Sequence, residues 1–507
     1  MSLGRIGQQA KQCLKNQLEY QHLGAFVPST SNAESVLEHS WAADERHRNG
    51  SPLSTIDGQL VAIKDNICTT HQPTTCASET LQAFRSPFSA TVVERLKAAG
   101  AIVAGKTNLD EFGMGSHSVN SVQGPVKSPG TISASQRSVG GSSGGSALAT
   151  STRQCFAALA TDTGGSVRLP AAWTGTVGFK PSYGIVSRWG VVAYANSLDT
   201  VGVIARSVEA AKQVYDVIKG HDPRDPTTMS SLTRSRINLH LSHRPRNEHL
   251  RIGIPREYLL KELHPSIHKH WSLVLQSLRR KGHSIHLTSL PTTKAALAAY
   301  YVLAPAEASS NLAKFDGVRY GKKAPNDREK PNVLFSNSRG HNFGAEVRRR
   351  ILLGSYTLSS TAMDNYFVRA QKVRRLVQDD FNQVFAMKHP LLQHRQEDPS
   401  SISTDENGEG TGVDIIITPT SLNLPPLLSS LRSHNKTNDP TNQFQEDVYT
   451  VPASLAGLPA ISVPVPCNDW QQVGLQVVGQ YGDDELVLDA ARELEGVLKD
   501  GAGATAR

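Results

Sequence analysis

Short apolar runs alternate along the chain with stretches in which apolar residues recur every three to four positions. This alternation predicts an α/β layer architecture with a large mixed sheet covered by helices on both faces. Leu60 to Ile63 reads as a buried strand ending in the turn-forming Lys64-Asp65-Asn66. Ala90 to Ala99 reads as a helix closed by Gly100, and Ala101 to Ala104 as the strand after it. A helix opens after the glycine–serine run at 140–146, and Phe156 to Ala160 is the next strand. Ser207 to Ile218 and Ser266 to Arg280 have helical patterns, with the strand Arg251 to Ile254 between them. Asp414 to Ile417, Ala460 to Pro464 and Val473 to Val478 are late strands, and Asp484 to Leu498 is the final helix. Residues 388–412 and 428–443 are polar and aperiodic, so both are expected as insertions in a single domain spanning 21–498. That leaves 1–20 as a basic segment or helix and 499–507 as a flexible tail.

With 38% apolar and 19% charged residues in 507, a sizeable core is possible and global disorder is excluded. The net charge is +8, but the basic residues are dispersed and their densest runs, Arg348-Arg349-Arg350 and Lys322-Lys323, are short. Nucleic-acid binding by the chain itself is therefore not the expectation. The cysteines at 13, 68, 76, 155 and 467 are odd in number and form no CxxC pair, which points to reduced thiols and to no zinc site. No apolar run reaches the roughly 18 residues of a membrane span. The first 18 residues contain Arg5, Lys11 and Lys15 and no acid, a pattern that suits an organelle transit segment or an ordinary N-terminal helix equally.

Two glycine–serine segments carry the candidate chemistry: Gly140-Gly141-Ser142-Ser143-Gly144-Gly145-Ser146 and Asp162-Thr163-Gly164-Gly165-Ser166. A flexible linker would not be wedged between apolar segments that need burial. A phosphate loop would be followed by Gly-Lys-Ser/Thr, and neither run is. Dense glycine at a strand-to-helix junction instead lets backbone amides converge, and such amides can hold an oxyanion. Lys64 is the third element, because a serine nucleophile needs a base. A desolvated lysine serves if its pKa falls from about 10.4 towards 7–8, roughly 4 kcal/mol of differential stabilisation.

Val61 to Ile67 (VAIKDNI), the GGSSGGS run and Asp162 to Arg168 (DTGGSVR) resemble the amidase signature family, as do Gly178 to Gly184 and Ser197 to Gly202. Ser166 lies 24 positions after Ser142 (166 − 142), the spacing of that family's two catalytic serines. The resemblance implies Ser166 as nucleophile, Ser142 as bridging serine and Lys64 as base. It also implies an oxyanion hole from the amides of Thr163, Gly164, Gly165 and Ser166, and a cis peptide at the bridging serine.

Four further segments, Ala304–Gly321, Glu346–Ser359, Ala370–Arg375 and Asp447–Pro464, resemble the branch of the family that supplies the glutaminase component of glutamyl-tRNA(Gln) amidotransferases. That likeness implies glutamine hydrolysis with no cofactor in this chain. It further implies B-type and small C-type partner subunits, where ATP and magnesium would amidate Glu-tRNA(Gln). An organellar, mitochondrial version is expected from the insertions and the basic N-terminus. Glutamine's zwitterionic head calls for a cation and an anion, expected as Arg350 on the α-carboxylate and Asp447 on the α-ammonium, with Tyr300 or Tyr301 lining the pocket. A solvated helix charge competes for Arg350, and a helix N-cap for Asp447. Asp57 to Leu60 and Pro129 to Val139 depart from the family pattern, and neither segment replaces a residue that the resemblance marks as catalytic. A stand-alone amidase of another carboxamide, or a silent RNA-binding scaffold, are the other function classes the residues leave open.

Overall fold

The computed structural model describes residues 4–28, 33–129, 135–244, 248–324, 334–392, 412–432, 445–465 and 472–505. Ten strands form one sheet: β1 Leu60–Lys64, β2 Ile102–Thr107, β3 Ala157–Asp162, β4 Val177–Lys180, β5 Thr200–Ala205, β6 Arg251–Pro255, β7 Ser284–Thr288, β8 Ile415–Pro419, β9 Ala460–Val465 and β10 Val473–Gly479. Their order is β2-β1-β3-β5-β4-β9-β10-β8-β6-β7. The three strands at each end are mutually parallel and the central pairings are antiparallel, so the sheet is mixed.

Both faces of the sheet are covered. In β1, Val61 and Ile63 pack into the main core while Leu60 and Ala62 pack into a second cluster on the opposite face. In β5, Val201 and Val203 join the main core, whereas Ile204 meets Ala147 of the Gly144–Ser151 helix. Burial on two sides is why these strands read as continuous apolar runs rather than alternating ones. Between Val61 and Ala62 the register with β2 slips by one residue, which places Lys64 opposite Thr107 at the carboxyl end of the parallel strands.

The basic N-terminal stretch is a helix, Arg5–Glu19, docked on the fold. Asp44 accepts from the amides of Ile6 and Gly7, both at 2.9 Å, and Asn16 donates to the carbonyls of Thr152 and Arg153. The start of the chain's first departure from the family pattern is also structural: Asp57 pairs with Arg46 at the far end of β1 from Lys64. Two expectations need correction. The final helix does not stop at Leu498 but runs from Asp484 to Thr505, because the residues after Leu498 hold no proline to interrupt it. The second polar stretch opens with a short helix, Leu428–Arg432, while 433–443, like 393–411 of the first, lies outside the described residues. Within the described residues Cys13, Cys68, Cys76 and Cys155 are free thiols. No described helix is long and apolar enough to cross a membrane.

Candidate active site

The carboxyl ends of β1 and β3 lie side by side, and the site is built where they open. Lys64 is the last residue of β1 and is fully buried. Its ammonium donates to Ser142 Oγ at 2.8 Å, to Thr161 Oγ1 at 3.0 Å and to the Thr161 carbonyl at 3.3 Å. Burial drives its pKa down to about 7, against the upward pull of Asp110, Asp162 and Asp199. Ser142 follows a cis peptide bond from Gly141 and is itself buried. Gly141 and Gly115 have no space for a side chain because the Asp110 carboxylate fills it. Asp110 in turn accepts from the amides of Ser118, Val119 and Asn120.

Ser166 ends the second glycine turn, just after β3, and is partly exposed, unlike Lys64 and Ser142. The turn is held from both ends. Asp162 accepts from the Val167 amide at 3.1 Å and pairs with the buried Arg168 through two N–H groups, at 2.9 and 3.0 Å. Burial pushes the Asp162 carboxyl up, but Arg168 outweighs it and holds the group below its usual range. Thr163 Oγ1 donates to Asp199 at 2.7 Å, and Thr450 Oγ1 donates to the Gly164 carbonyl at 2.6 Å. Gly165 sits at φ +152° directly against Thr450, so only glycine fits there. Among the described residues, the amides of Gly164, Gly165 and Ser166 donate to no protein acceptor. A cluster of unsatisfied amides at a partly exposed serine is what a developing oxyanion requires.

Beyond this turn lies a cage of tyrosines. Tyr300, on the Thr293–Asn311 helix, packs directly against Gly164. Tyr301 donates to Asp447 Oδ2 at 2.8 Å, and Ser116 donates to the same oxygen at 3.1 Å. Arg350, on the Ala345–Thr357 helix, lies over the Tyr301 ring at 5.6 Å and the Tyr194 ring at 5.8 Å. Its Nε donates to Glu346 at 2.8 Å and its Nη1 to the Tyr194 hydroxyl at 2.6 Å. Arg350 is 5% exposed, so it is not a solvated helix charge. Asp447 does not cap the helix Val451–Leu455, whose N-cap is Thr450; its carboxylate turns to Tyr301 and Ser116 instead. Burial pushes Asp447 up to about 6, opposed by Tyr301 and Arg350. One cation and one anion are thus held on either side of Tyr301, next to the glycine turn.

Sequence reading missed Thr161, Asp110, Asp162, Asp199, Thr450 and Tyr194. Asp162 was within the quoted motif, and its position opposite Arg168 six residues on was the signal for a buried pair. Thr161 directly precedes that motif, and Asp199 and Thr450 stand within Ser197–Gly202 and Asp447–Pro464, but nothing beside them in sequence marks their partners; Asp110 and Tyr194 come from segments with no such mark. Of the unusual 129–139 stretch, the described part is tied down: the Ser138 amide donates to the Pro426 carbonyl and Arg137 to the Pro425 carbonyl. It borders the site without supplying any of its groups named above.

The model of the Amidase family matches residues 16–488. The chain belongs to the amidase family. It is 54% identical to the A subunit of the mitochondrial glutamyl-tRNA(Gln) amidotransferase of Coccidioides posadasii over 96% of this chain and 98% of that protein. With the protein of the same name from Emericella nidulans it shares 51%, over 96% and 99%. Among solved structures, the A subunit of the Thermotoga maritima glutamyl-tRNA(Gln) amidotransferase superposes with a TM-score of 0.72 at 34% identity, covering 97% of this chain and 92% of that one. The peptide amidase of Stenotrophomonas maltophilia gives 0.71 at 26% identity, over 97% and 94%.

Proposed function

We propose that this chain is the glutamine-hydrolysing component of a mitochondrial glutamyl-tRNA(Gln) amidotransferase. The observation that carries the reading is the buried Arg350–Tyr301–Asp447 arrangement beside the Gly164–Ser166 turn. A neutral carboxamide needs no such pair, whereas an α-amino acid needs both charges. The high identity to the mitochondrial relatives over nearly their full length supports the same substrate and compartment.

The chemistry follows from the geometry. Neutral Lys64 accepts the Ser142 proton while Ser142 accepts that of Ser166, and Ser166 Oγ attacks the side-chain carbonyl carbon of glutamine. The amides of Thr163 to Ser166 receive the negative oxygen. As the carbon–nitrogen bond breaks, the relay returns its proton and ammonia leaves, with a glutamyl ester on Ser166. Water then enters through the same relay and releases glutamate. The chain's own steps use only these side chains. B-type and small C-type partner subunits are proposed to receive the ammonia, with ATP and magnesium acting there on Glu-tRNA(Gln).

The test is glutamine hydrolysis by the chain co-purified with its partners and supplied with Glu-tRNA(Gln). Wild type should release ammonia and show, after acid quench, a glutamyl mass adduct on the Ser166 peptide; Ser166→Ala should show neither. Turnover of neutral amides but not of glutamine would favour a stand-alone amidase. Retained turnover in Ser166→Ala would remove the nucleophile assignment.

A further inference from the structure

We infer that Tyr194 and Glu346 are positioning residues that set the Arg350 guanidinium in one pose and fix that pose relative to the oxyanion turn. The inference rests on the glutamine reading and extends it to two residues that touch no substrate in that reading.

An arginine side chain has many rotamers to lose, so a reader of a planar carboxylate gains if its pose is already set. Arg350 has five N–H donors. Glu346 takes Nε and Tyr194 takes one proton of Nη1, while the rings of Tyr194 and Tyr301 lie against the guanidinium. These contacts leave three N–H donors, one on Nη1 and two on Nη2, to receive a carboxylate. An exposed pair four residues apart on a helix contributes little, because solvent screens it. Here Glu346 and Arg350 are both buried, so the pair works as a clamp on orientation and not as surface helix support. Glu346 also holds the more exposed Arg349 through its other oxygen, which keeps its own carboxylate from rotating away.

Tyr194 adds the second half. Its amide and that of Ala195 donate to Asp199 Oδ2, at 2.9 and 3.0 Å. The other oxygen of the same carboxylate accepts from Thr163, the first residue of the oxyanion turn. One buried carboxylate therefore holds the backbone of the residue that places Arg350 and the turn that places the reacting carbon. The interval between head-group reader and reaction centre is set through Arg350, Tyr194, Asp199 and Thr163.

The experiment compares glutamine with butyramide, which has the same reacting end and lacks the charged head, in the assembled complex of wild type, Glu346→Ala, Glu346→Gln and Tyr194→Phe. Glu346→Ala should raise KM for glutamine ten- to a hundredfold, about 1.4–2.7 kcal/mol, with kcat changed less than about threefold. Glu346→Gln should recover most of that loss because its amide oxygen still accepts from Nε, and Tyr194→Phe should raise KM about tenfold. In each variant kcat/KM for butyramide should fall far less than for glutamine. Glutamine KM within twofold of wild type in Glu346→Ala and Tyr194→Phe would overturn the inference. So would parallel losses on both substrates accompanied by a lowered melting temperature, the mark of a merely structural role. Failure of the wild type to hydrolyse glutamine would instead remove the reading beneath it.

Discussion

The burial of Lys64 has two measurable consequences that must appear together. Its fall from 10.5 to about 7 corresponds to about 5 kcal/mol favouring the neutral amine. At pH 7 about half of the folded molecules then carry a neutral base, against roughly one in 3000 for an unperturbed lysine. The kcat for glutamine should rise about tenfold per pH unit below 7 and level off above it. The same burial costs stability. Unfolded, Lys64 keeps its proton up to about pH 10.5; folded, it releases it near 7. Below pH 7 both states hold the proton and the folded state bears the full cost. Between 7 and 10.5 the unfolded state binds more protons, so stability rises with pH at this position. Replacing Lys64 by Met should therefore stabilise the protein most below pH 7, with the advantage gone by 10.5. Lost hydrogen bonds to Ser142 and Thr161 reduce the gain to about 2–3 kcal/mol. Urea unfolding of wild type and Lys64→Met from pH 6 to 9, with kcat over the same range, measures both. Lys180 is the internal control, because burial drives it to about 7 as well while it donates to the carbonyls of Pro181 and Leu458. A flat kcat profile from pH 5.5 to 8, or one whose limb disappears in Lys180→Met, would refute the assignment of the base.

Three further outcomes follow. Lys64→Ala and Ser142→Ala should each lose most of kcat, with little added loss in the double variant, because groups acting as one relay are not additive; independent, multiplying losses in steady-state kinetics would contradict it. Arg350→Ala should raise KM for glutamine by a hundredfold or more, given a buried charge-assisted contact of about 3 kcal/mol, and hardly alter butyramide turnover. Because Asp447 must be ionised to hold an ammonium and burial has pushed it up to about 6, KM for glutamine should climb as pH falls from 7 to 5, a trend that Asp447→Asn should abolish at a uniformly high KM.

The legible parts of this molecule were those whose physics is local. Strands buried on both faces announced themselves as apolar runs at β1, β3, β9 and β10, and the Gly/Ser runs at strand ends marked the turns that hold Ser142 and Ser166. Other elements lacked a local signal. The Thr293–Asn311 helix is apolar on most of its surface and contains Pro305, so no single stripe marks it. Strand β7 is a sheet edge with largely exposed residues, and its pattern is not that of a buried strand. In the site, Lys64, Ser142 and Ser166 stand in motifs, but their supports do not. Arg350 meets Tyr194 across 156 positions, and Thr450 reaches Gly164 across 286. Such contacts form only when distant segments pack together in the folded chain, and no neighbour in sequence foretells them.

The path of the chain through the sheet also bears on how new amidases can be assembled by recombination. The proposed base, bridging serine and nucleophile all come from the first third of the sequence, whereas the groups proposed to grip the head of the substrate come from 300–450. A transplant of the later segment from a relative with another substrate would exchange specificity without touching the reacting atoms, provided the contacts across the junction are respected: Arg350 with Tyr194, Asp447 with Ser116, and Thr450 with the glycine turn. Thr450 belongs to the later segment yet fills the space over Gly165 and holds the Gly164 carbonyl. A donor segment with a bulkier residue at that position would misplace the oxyanion turn and yield a folded hybrid that binds its ligand and fails to turn it over. Crossover libraries from this family should accordingly divide by the residues at these junction contacts more sharply than by overall identity.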